Sequence, residues 1–392
     1  MKVACIGNMN NNMFALTRYL RDAGIDAHLL LFANELEHFH PASDAVDLSF
    51  RQYTHQLTWG HRYEFSSTPK NLIQNDLRDY DVLIGCGTSP AYIFKAGRQL
   101  DIFVPYGGDL VSYPFLRAVP PRKIVGHLQF VHAQRQGIRS ANYIVMDKAN
   151  RIYERRYEQL QPRGERLAIA PPMVYLPLYC PERISLLYDR THWTHEFMAI
   201  RQTFDLIVFH HARHCWMNVR KPDYPKGNDY LIRGFAEFSK QHRSVRAGLV
   251  LFEYGKDVDK SRQLISSLGI QDKVRWFPRM GRKDLMVGLS LADWGTGEFA
   301  YNWTSCGTIL ETLAMAKPLL HFRDEHPRQV ESSDQYPLAN ARSHDEIASH
   351  LTNYVTDRSY YETMGAAGRQ WLQQHGVADP VSRIVSALKA CA

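Results

Sequence analysis

The chain has 392 residues, too many for one ordinary hydrophobic core and about right for two domains. Apolar residues make up 45% and charged residues 22%, which excludes a disordered chain, and no apolar run approaches the roughly 18 residues of a membrane-spanning helix. The net charge of +7 leaves anionic partners open: lipid head groups, nucleic acid or acidic glycans.

The opening MKVACIGNMNNN is too poor in apolar residues for a signal peptide and reads as a first strand. Short β-rich runs bounded by turn residues come next: KVACIG (2–7), AHLLLF (27–32), DVLIGC (81–86), DIFVPYG (101–107) and YIVMD (143–147). Helical spacing appears between them, most clearly in Met13–Ala23, which ends at Gly24. Residues 34–70, rich in His, Ser and aromatics, read as an extended excursion. Between Phe115 and Arg166 stand eleven Lys/Arg and four Asp/Glu, an excess equal to that of the whole chain, with Phe130, Tyr143, Tyr153 and Tyr157 interleaved. Such a segment suits an anionic membrane or an acidic acceptor, and equally a solvated helical face.

The pattern restarts at DLIVFH (205–210) and continues through VRAGLVLFEYG (245–255), KVRWFP (273–278), LADWGTGEF (291–299) and KPLLHF (317–322). Strands alternating with helices imply parallel sheets covered on both faces. The expected fold is therefore α/β with two doubly wound domains: residues 1–190, residues 200–370, and a terminal helical segment 371–392. Six scattered cysteines with no CxxC pair read as reduced thiols in a cytosolic protein.

Ligands of doubly wound sheets bind beyond the C-terminal strand ends, which selects a few loops. GNMNNNMF, containing Asn10, opens a helix where backbone N–H groups meet an anion or a sugar, although Asn also suits turns and caps. It is not GxGxxG, so the dinucleotide fingerprint is absent. In YGGDL, Gly107 and Gly108 permit close backbone approach, and Asp109 either accepts a sugar hydroxyl or caps the next turn. After DLIVFH come Arg213 and, beyond an insertion, Lys226-Gly227-Asn228-Asp229 entering a helix. A guanidinium and an ammonium at the mouth of a parallel sheet suit a diphosphate; surface charge accounts for Arg220 and Lys221 equally well.

The loop after DLIVFH is the most informative in the chain, and SCGTILETLAMAKPLL (305–320) complements it. A helix beginning at Ser305, Gly307 and Thr308 offers free N–H groups and a dipole to a second phosphate. Glu311 lies four residues beyond Gly307, on the same face. A carboxylate there accepts both hydroxyls of a ribose. Lys317-Pro318 then ends the helix and starts a buried strand.

These residues carry a resemblance. GEFAYNWTSCGTILETLAMAKPLLHF resembles the donor-nucleotide signature of retaining glycosyltransferases of the GT-B fold, the family-four (glycosyl transferases group 1) type, and HARH and PKGND are similar to that family's two diphosphate-binding cations. The likeness spans roughly 200–390; over 1–190 it is architectural, with KVACIGNMNNN and YGGD. It implies two Rossmann-like domains facing each other across a cleft, an N-terminal acceptor domain, and a C-terminal donor domain. A last helix would cross back to the first domain. Glu311 would hold the ribose, and Arg279 and Met280 of FPRM would border the nucleobase. The family's usual pair of glutamates is incomplete: Trp303 stands where the first would be. Glu298, further upstream, is the residue available for the sugar-facing role.

The implied activity is transfer of a sugar, with retention, from a UDP- or GDP-linked donor to a glycan or lipid-linked hydroxyl, as in polysaccharide or lipopolysaccharide assembly at the inner membrane face. Arg213, Lys226 and the helix start would stabilise the departing diphosphate, while Asp109 and the Asn loop align reactants. No DxD motif follows a strand, Arg213 interrupts HHARH, and no zinc spacing appears, so a metal-independent enzyme without a separate cofactor is expected. Two other readings stay open: another GT-B enzyme (a sugar-nucleotide epimerase or a DNA-base glycosyltransferase, although nucleic acid is the less expected partner), and a non-catalytic nucleotide- or glycan-binding protein.

Overall fold

A computed structural model describes residues 1–146, 151–217, 224–302, 305–324 and 335–391. Two compact units emerge, one of Met1–Tyr175 with Gly376–Ala392, the other of Leu176–His375. Each is built on one parallel sheet.

In the first unit the strands are β1 (Lys2–Ile6), β2 (Asp26–Leu31), β3 (Thr54–Gln56), β4 (Val82–Gly85), β5 (Ile102–Phe103), β6 (Tyr143–Val145) and β7 (Glu165–Leu167). Their spatial order is β3-β2-β1-β4-β5-β6-β7. Every pairing is parallel, for example Val3 beside Ala27 and Val82. Successive side chains of a strand point to opposite faces, and the core divides accordingly. Ala4, Ile6, Leu30 and Leu83 join Trp59, Tyr92 and Phe130 on one face. Val3, Cys5, Leu29, Leu31, Val82 and Ile84 join Phe14, Leu16 and Leu20 on the other.

The second unit repeats the winding with β8 (Leu206–His210), β9 (Ala247–Glu253), β10 (Val274–Pro278), β11 (Trp294–Thr296), β12 (Leu319–His321) and β13 (Ala339–Asn340). Its order is β10-β9-β8-β11-β12-β13, again all parallel. Here Leu206, Val208, Leu249 and Leu251 meet Phe235, Phe238 and Trp294 on one face. On the other, the rings of Phe197, Phe209, Phe252 and Phe277 form a chain of contacts 4.6–6.0 Å apart.

The strands expected from the sequence all form, most of them shorter than the apolar runs that announce them. Three others, β3, β7 and β13, have no such run. All lie at sheet edges and have two or three residues, with at most one buried side chain each. Half-exposed strands lack the apolar run that marks a central one. β3 falls inside the stretch read as an excursion.

In both units the order of strands reverses between two neighbours, β1 and β4 in the first and β8 and β11 in the second. The chain leaves these neighbours toward opposite sides, which opens a crevice beyond their C-terminal ends.

The terminal helix Asp379–Cys391 belongs to the first unit. Ile384, Ala387 and Leu388 are buried against the Val3–Phe14–Leu20 layer. Truncating Leu388 to Ala removes a fully buried side chain and should cost about 2–5 kcal/mol. Hydrogen exchange is expected to accelerate in helix Asn12–Asp22, which shares that layer, and to stay unchanged in helix Asn228–Gln241 of the second unit. Equal acceleration in both would contradict this placement.

Candidate functional site

At the switch point of the first sheet, the loop after β1 turns sharply. Gly7 has φ +84°, and a Cβ there would come within 2.8 Å of Cys86 Sγ and of the Phe32 ring. Asn8 organises the loop: its Oδ1 accepts from Phe14 N at 2.9 Å, and its Nδ2 donates to Asn11 Oδ1 at 2.9 Å and to Phe39 O at 2.5 Å. Asn10 and Asn11 are both left-handed, φ 57° and 58°, the conformation Asn tolerates best after Gly. Asn10 sits half-buried on this loop.

Asp109 is completely buried. Its Oδ1 accepts from Tyr106 N, Gly107 N and Leu110 N at 3.0–3.1 Å, and its Oδ2 accepts from Gly87 N at 2.9 Å. Of the two roles read for it in the sequence, the geometry is the cap. The carboxylate ties the loop after β5 to the loop after β4 and presents no free face to a sugar. Gly107, at φ +142°, makes the reversal; a Cβ there would sit 3.3 Å from Tyr153 Oη, whereas Gly108 meets only the Tyr113 ring at 3.7 Å. Burial lifts the Asp109 carboxyl to about 6 despite its four N–H donors.

Sequence reasoning missed Glu35, which accepts from Asn8 N at 2.7 Å. Burial outweighs the N–H groups of Asn8 and Phe32 and raises its carboxyl to about 7. Nothing in the local sequence marks it, because the contact spans 27 residues.

At the switch point of the second sheet, the predicted residues converge. Lys226 Nζ lies 2.6 Å from Glu298 Oε1, both side chains largely buried. Gly227 caps helix Asn228–Gln241 in the left-handed conformation, φ 71°, and a Cβ there would press on Ala300 N and Phe299 Cβ at 2.9 Å. This close approach, with Phe299 N donating to Lys226 O at 2.8 Å, fastens the PKGND turn to the GEF turn. Burial raises the Glu298 carboxyl, opposed by the charges of Lys226 and Arg213. Cys306 stands in the same field: burial, then the Glu298 charge, push its thiol to about 11.

Helix Gly307–Ala314 begins at Cys306 with no side-chain cap, so its first N–H groups are not consumed by a cap. Ser305 and Thr308 are half-buried around this start, Thr308 Oγ1 lying 3.2 Å from Cys306 Sγ. The helix ends at Ala316, left-handed at φ 54°, before Pro318 leads into β12. Glu311, one turn in, is buried and held from two sides: Oε1 accepts from Arg282 Nε at 2.8 Å, and Oε2 lies 2.8 Å from His211 Nε2. Burial raises its carboxyl, but the Arg282 charge and the His211 contact outweigh that and bring it to about 2. Arg282 and His211 were not read from the sequence. A signal for Arg282 existed, since GRKDL after β10 repeats the glycine-then-helix pattern of PKGND after β8. Arg279 is exposed, its guanidinium 5.9 Å from the Tyr254 ring, and Met280 is buried beside it.

The histidines of HHARH have other work. Asn228 Nδ2 donates to His210 Nε2 at 2.8 Å while Asn228 Oδ1 accepts from Cys215 N. His210 therefore carries its proton on Nδ1 and gives it to Thr296 Oγ1 at 2.6 Å. Burial holds it neutral, far below its ordinary range. His214 Nδ1 lies 2.8 Å from Ser261 Oγ, and burial lowers it to about 4. Three buried atoms around this crevice, His211 Nδ1, His214 Nε2 and Glu298 Oε2, have no hydrogen-bond partner among the described residues. Buried polar atoms left unmatched are costly, so a ligand with donors and acceptors is favoured here. Trp303, Arg220 and Lys221 lie outside the described residues.

No protein-family model matches the sequence, and no curated protein does. Solved structures match throughout. Anabaena HepE in complex with UDP and glucose superposes with a TM-score of 0.64 at 15% identity, each chain covered over 100% of its length. Sucrose-phosphate synthase from Thermosynechococcus elongatus gives 0.62 at 14%, with the same coverage.

The fold is GT-B.

UDP-GlcNAc 2-epimerase from Neisseria meningitidis bound to UDP-GlcNAc gives 0.61 at 13%, again over 100% of both chains. Identities this low establish the GT-B architecture and leave the chemistry to this chain's own residues.

Two carboxyls of opposite sign of shift give a pH test. Glu35 has a folded value of about 7 against an ordinary 4.5, so stability present below pH 4.5 is lost as pH rises through 7. Glu35→Gln keeps an acceptor for Asn8 N and should stabilise by up to about 3 kcal/mol at pH 8 and by almost nothing at pH 4. Glu311, at about 2, contributes stability above pH 4.5 that fades as pH falls toward 2. Glu311→Gln should therefore destabilise at pH 7 by about 3 kcal/mol, since Arg282 keeps a buried charge without its anion. Urea denaturation at pH 4 and pH 8 measures the first, and at pH 7 and pH 3 the second.

Proposed function

We propose that this chain is a glycosyltransferase that moves a sugar from a nucleoside-diphosphate sugar, most simply a UDP-sugar, to a hydroxyl of a glycan or lipid-linked acceptor. The observation that carries the reading is the ring at the second switch point. Lys226, with Arg213 near, faces Glu298, and both stand beside the uncapped start of helix Gly307–Ala314. Two cations and a helix N-terminus neutralise a diphosphate without a metal. A carboxylate one turn further on, Glu311, held rigid by Arg282 and His211, keeps oxygen lone pairs for ribose hydroxyls.

In this reading the diphosphate competes with Glu298 for Lys226. As the bond to the anomeric carbon breaks, negative charge grows on the leaving phosphate, and Lys226, Arg213 and the helix start stabilise it where it develops. Glu298, with Oε2 unmatched, accepts from the sugar and supports positive charge at the ring. Arg279 and Met280 border the base. Asn10, Gly107 and Gly108 shape the first unit's loops for an acceptor, with Asp109 as their positioning residue. Retention of configuration, and a role in polysaccharide assembly in the cytoplasm, come from the family resemblance and are proposed on that basis. Several of the matched structures, among them HepE and the Neisseria meningitidis epimerase, were solved with UDP or a UDP-sugar, which favours uridine.

A second reading, a sugar-nucleotide epimerase, is favoured by the epimerases among the matched folds. The two differ in product. Incubation with UDP-glucose or UDP-GlcNAc and chromatography of the nucleotides should yield free UDP, slowly by hydrolysis and faster with an acceptor. Lys226→Ala and Arg213→Ala should lower that rate by at least a hundredfold, roughly the loss of one strong charge contact in the transition state. An epimerised UDP-sugar would select the second reading, and no turnover together with no nucleotide binding would overturn both.

A further inference from the structure

We propose that a basic pocket in the first unit holds the phosphate group of an amphiphilic, lipid-linked acceptor. The pocket measures about 150 Å³ and lies between the Arg62–Ser66 turn, residues 112–117 and the first turn of helix Ile124–Ser140. Arg62, Arg117, Arg122, Lys123 and His127 line it, and no carboxylate does among the described residues.

The cations are organised, not scattered. Tyr63 stands among them: its hydroxyl accepts from Arg117 Nη2 at 2.6 Å and from Arg62 Nη2 at 3.0 Å. Lys123 Nζ lies 4.4 Å from the centre of its ring and the Arg62 guanidinium 4.7 Å. Three like charges thus gather on one phenol. Its ring quadrupole offsets only part of their repulsion. Other arginines of the same unit meet acceptors that offset their charge, a carboxylate for Arg166 (Glu154) and Arg21 (Asp26) and backbone carbonyls for Arg98 (Leu77 and Tyr80). Helix Ile124–Ser140 adds the positive end of its dipole, with no acidic residue in its first turn and no side-chain cap. Arg117 N donates to His127 Nε2 at 3.3 Å, which joins the 112–117 segment to that turn. Forked guanidiniums beside a mobile ammonium are the groups that grip a phosphate.

Apolar surface decides what carries the phosphate. Leu116, Ile124, Val125 and Leu128 are exposed by 61, 43, 69 and 48%. They fall within the same short stretch as Arg117, Arg122 and Lys123, and the last three recur on one side of the helix. A soluble phosphate needs the cations alone. Exposed aliphatic side chains rimmed by Arg and Lys suit an acyl or prenyl chain entering from an anionic lipid surface, where basic residues add to the attraction. The role as acceptor site rests on the transferase reading; the binding itself does not.

The test is sedimentation of the full chain, without nucleotide, with vesicles of phosphatidylcholine alone or containing phosphatidic acid, and with inorganic phosphate as competitor. Binding is expected to the phosphatidic acid vesicles only. Arg117→Ala combined with Arg122→Ala should weaken it at least tenfold, Val125→Asp should weaken it comparably, and UDP binding should be unchanged in each. Absence of binding to phosphatidic acid, or equal binding by the arginine variant, would overturn the pocket. Loss with the arginine variant but not with Val125→Asp, alongside competition by millimolar phosphate, would overturn the amphiphile and assign a soluble phosphate. Failure of UDP binding with vesicle binding intact would fault the donor reading alone.

Discussion

Glu298 and Glu311 are carboxylates buried at the end of a parallel sheet, and burying a charge is costly unless it is matched. The surrounding structure is arranged around that match. Glu311 is held by Arg282 and His211, from the starts of two different connections. Glu298 is held by Lys226, and its backbone N donates to His321 Nδ1 at 2.9 Å, which joins β11 to β12. Gly227 is needed because the turn bearing Lys226 must lie against Phe299 and Ala300. Removing either carboxylate would leave a buried cation without its anion, Arg282 in one case and Lys226 in the other. In the proposed function, Lys226 and Arg213 are the groups that meet the diphosphate.

The first unit has the same winding and a different filling at its switch point. There the polar groups are Asn8, Glu35 and Asp109, and their partners are mostly backbone N–H groups. Such a crevice is shaped and weakly charged. The positive charge of this unit is concentrated on the segment that carries Arg117, Arg122 and Lys123. Two units of one topology thus differ in the placement of charge.

Much of this was legible in the sequence. Central strands announce themselves because both faces are buried, so KVACIG, DLIVFH and GLVLFE are continuous apolar runs. The loops at the second switch point were legible because glycine, a cation and a helix start recur in fixed order after a strand. Edge strands β3, β7 and β13 were not, being short and half-exposed. Nor was the partnership of Glu311: Arg282 lies 29 residues away and His211 100, and no local pattern encodes such a meeting. Asp109 was legible only as a choice between cap and ligand group. Three of the four N–H donors that settle its geometry come from its own loop, and the fourth, Gly87 N, comes from the loop after β4.

The central claim is that Lys226 exchanges Glu298 for a diphosphate. The most direct measurement is calorimetric titration of UDP into wild type, Lys226→Ala and Glu298→Gln. If the claim holds, Glu298→Gln removes the anion that competes for Lys226 and binds UDP severalfold more tightly, while Lys226→Ala binds at least tenfold more weakly. If Glu298→Gln instead weakens UDP as much as Lys226→Ala does, the pair is a structural strut and the diphosphate lies elsewhere.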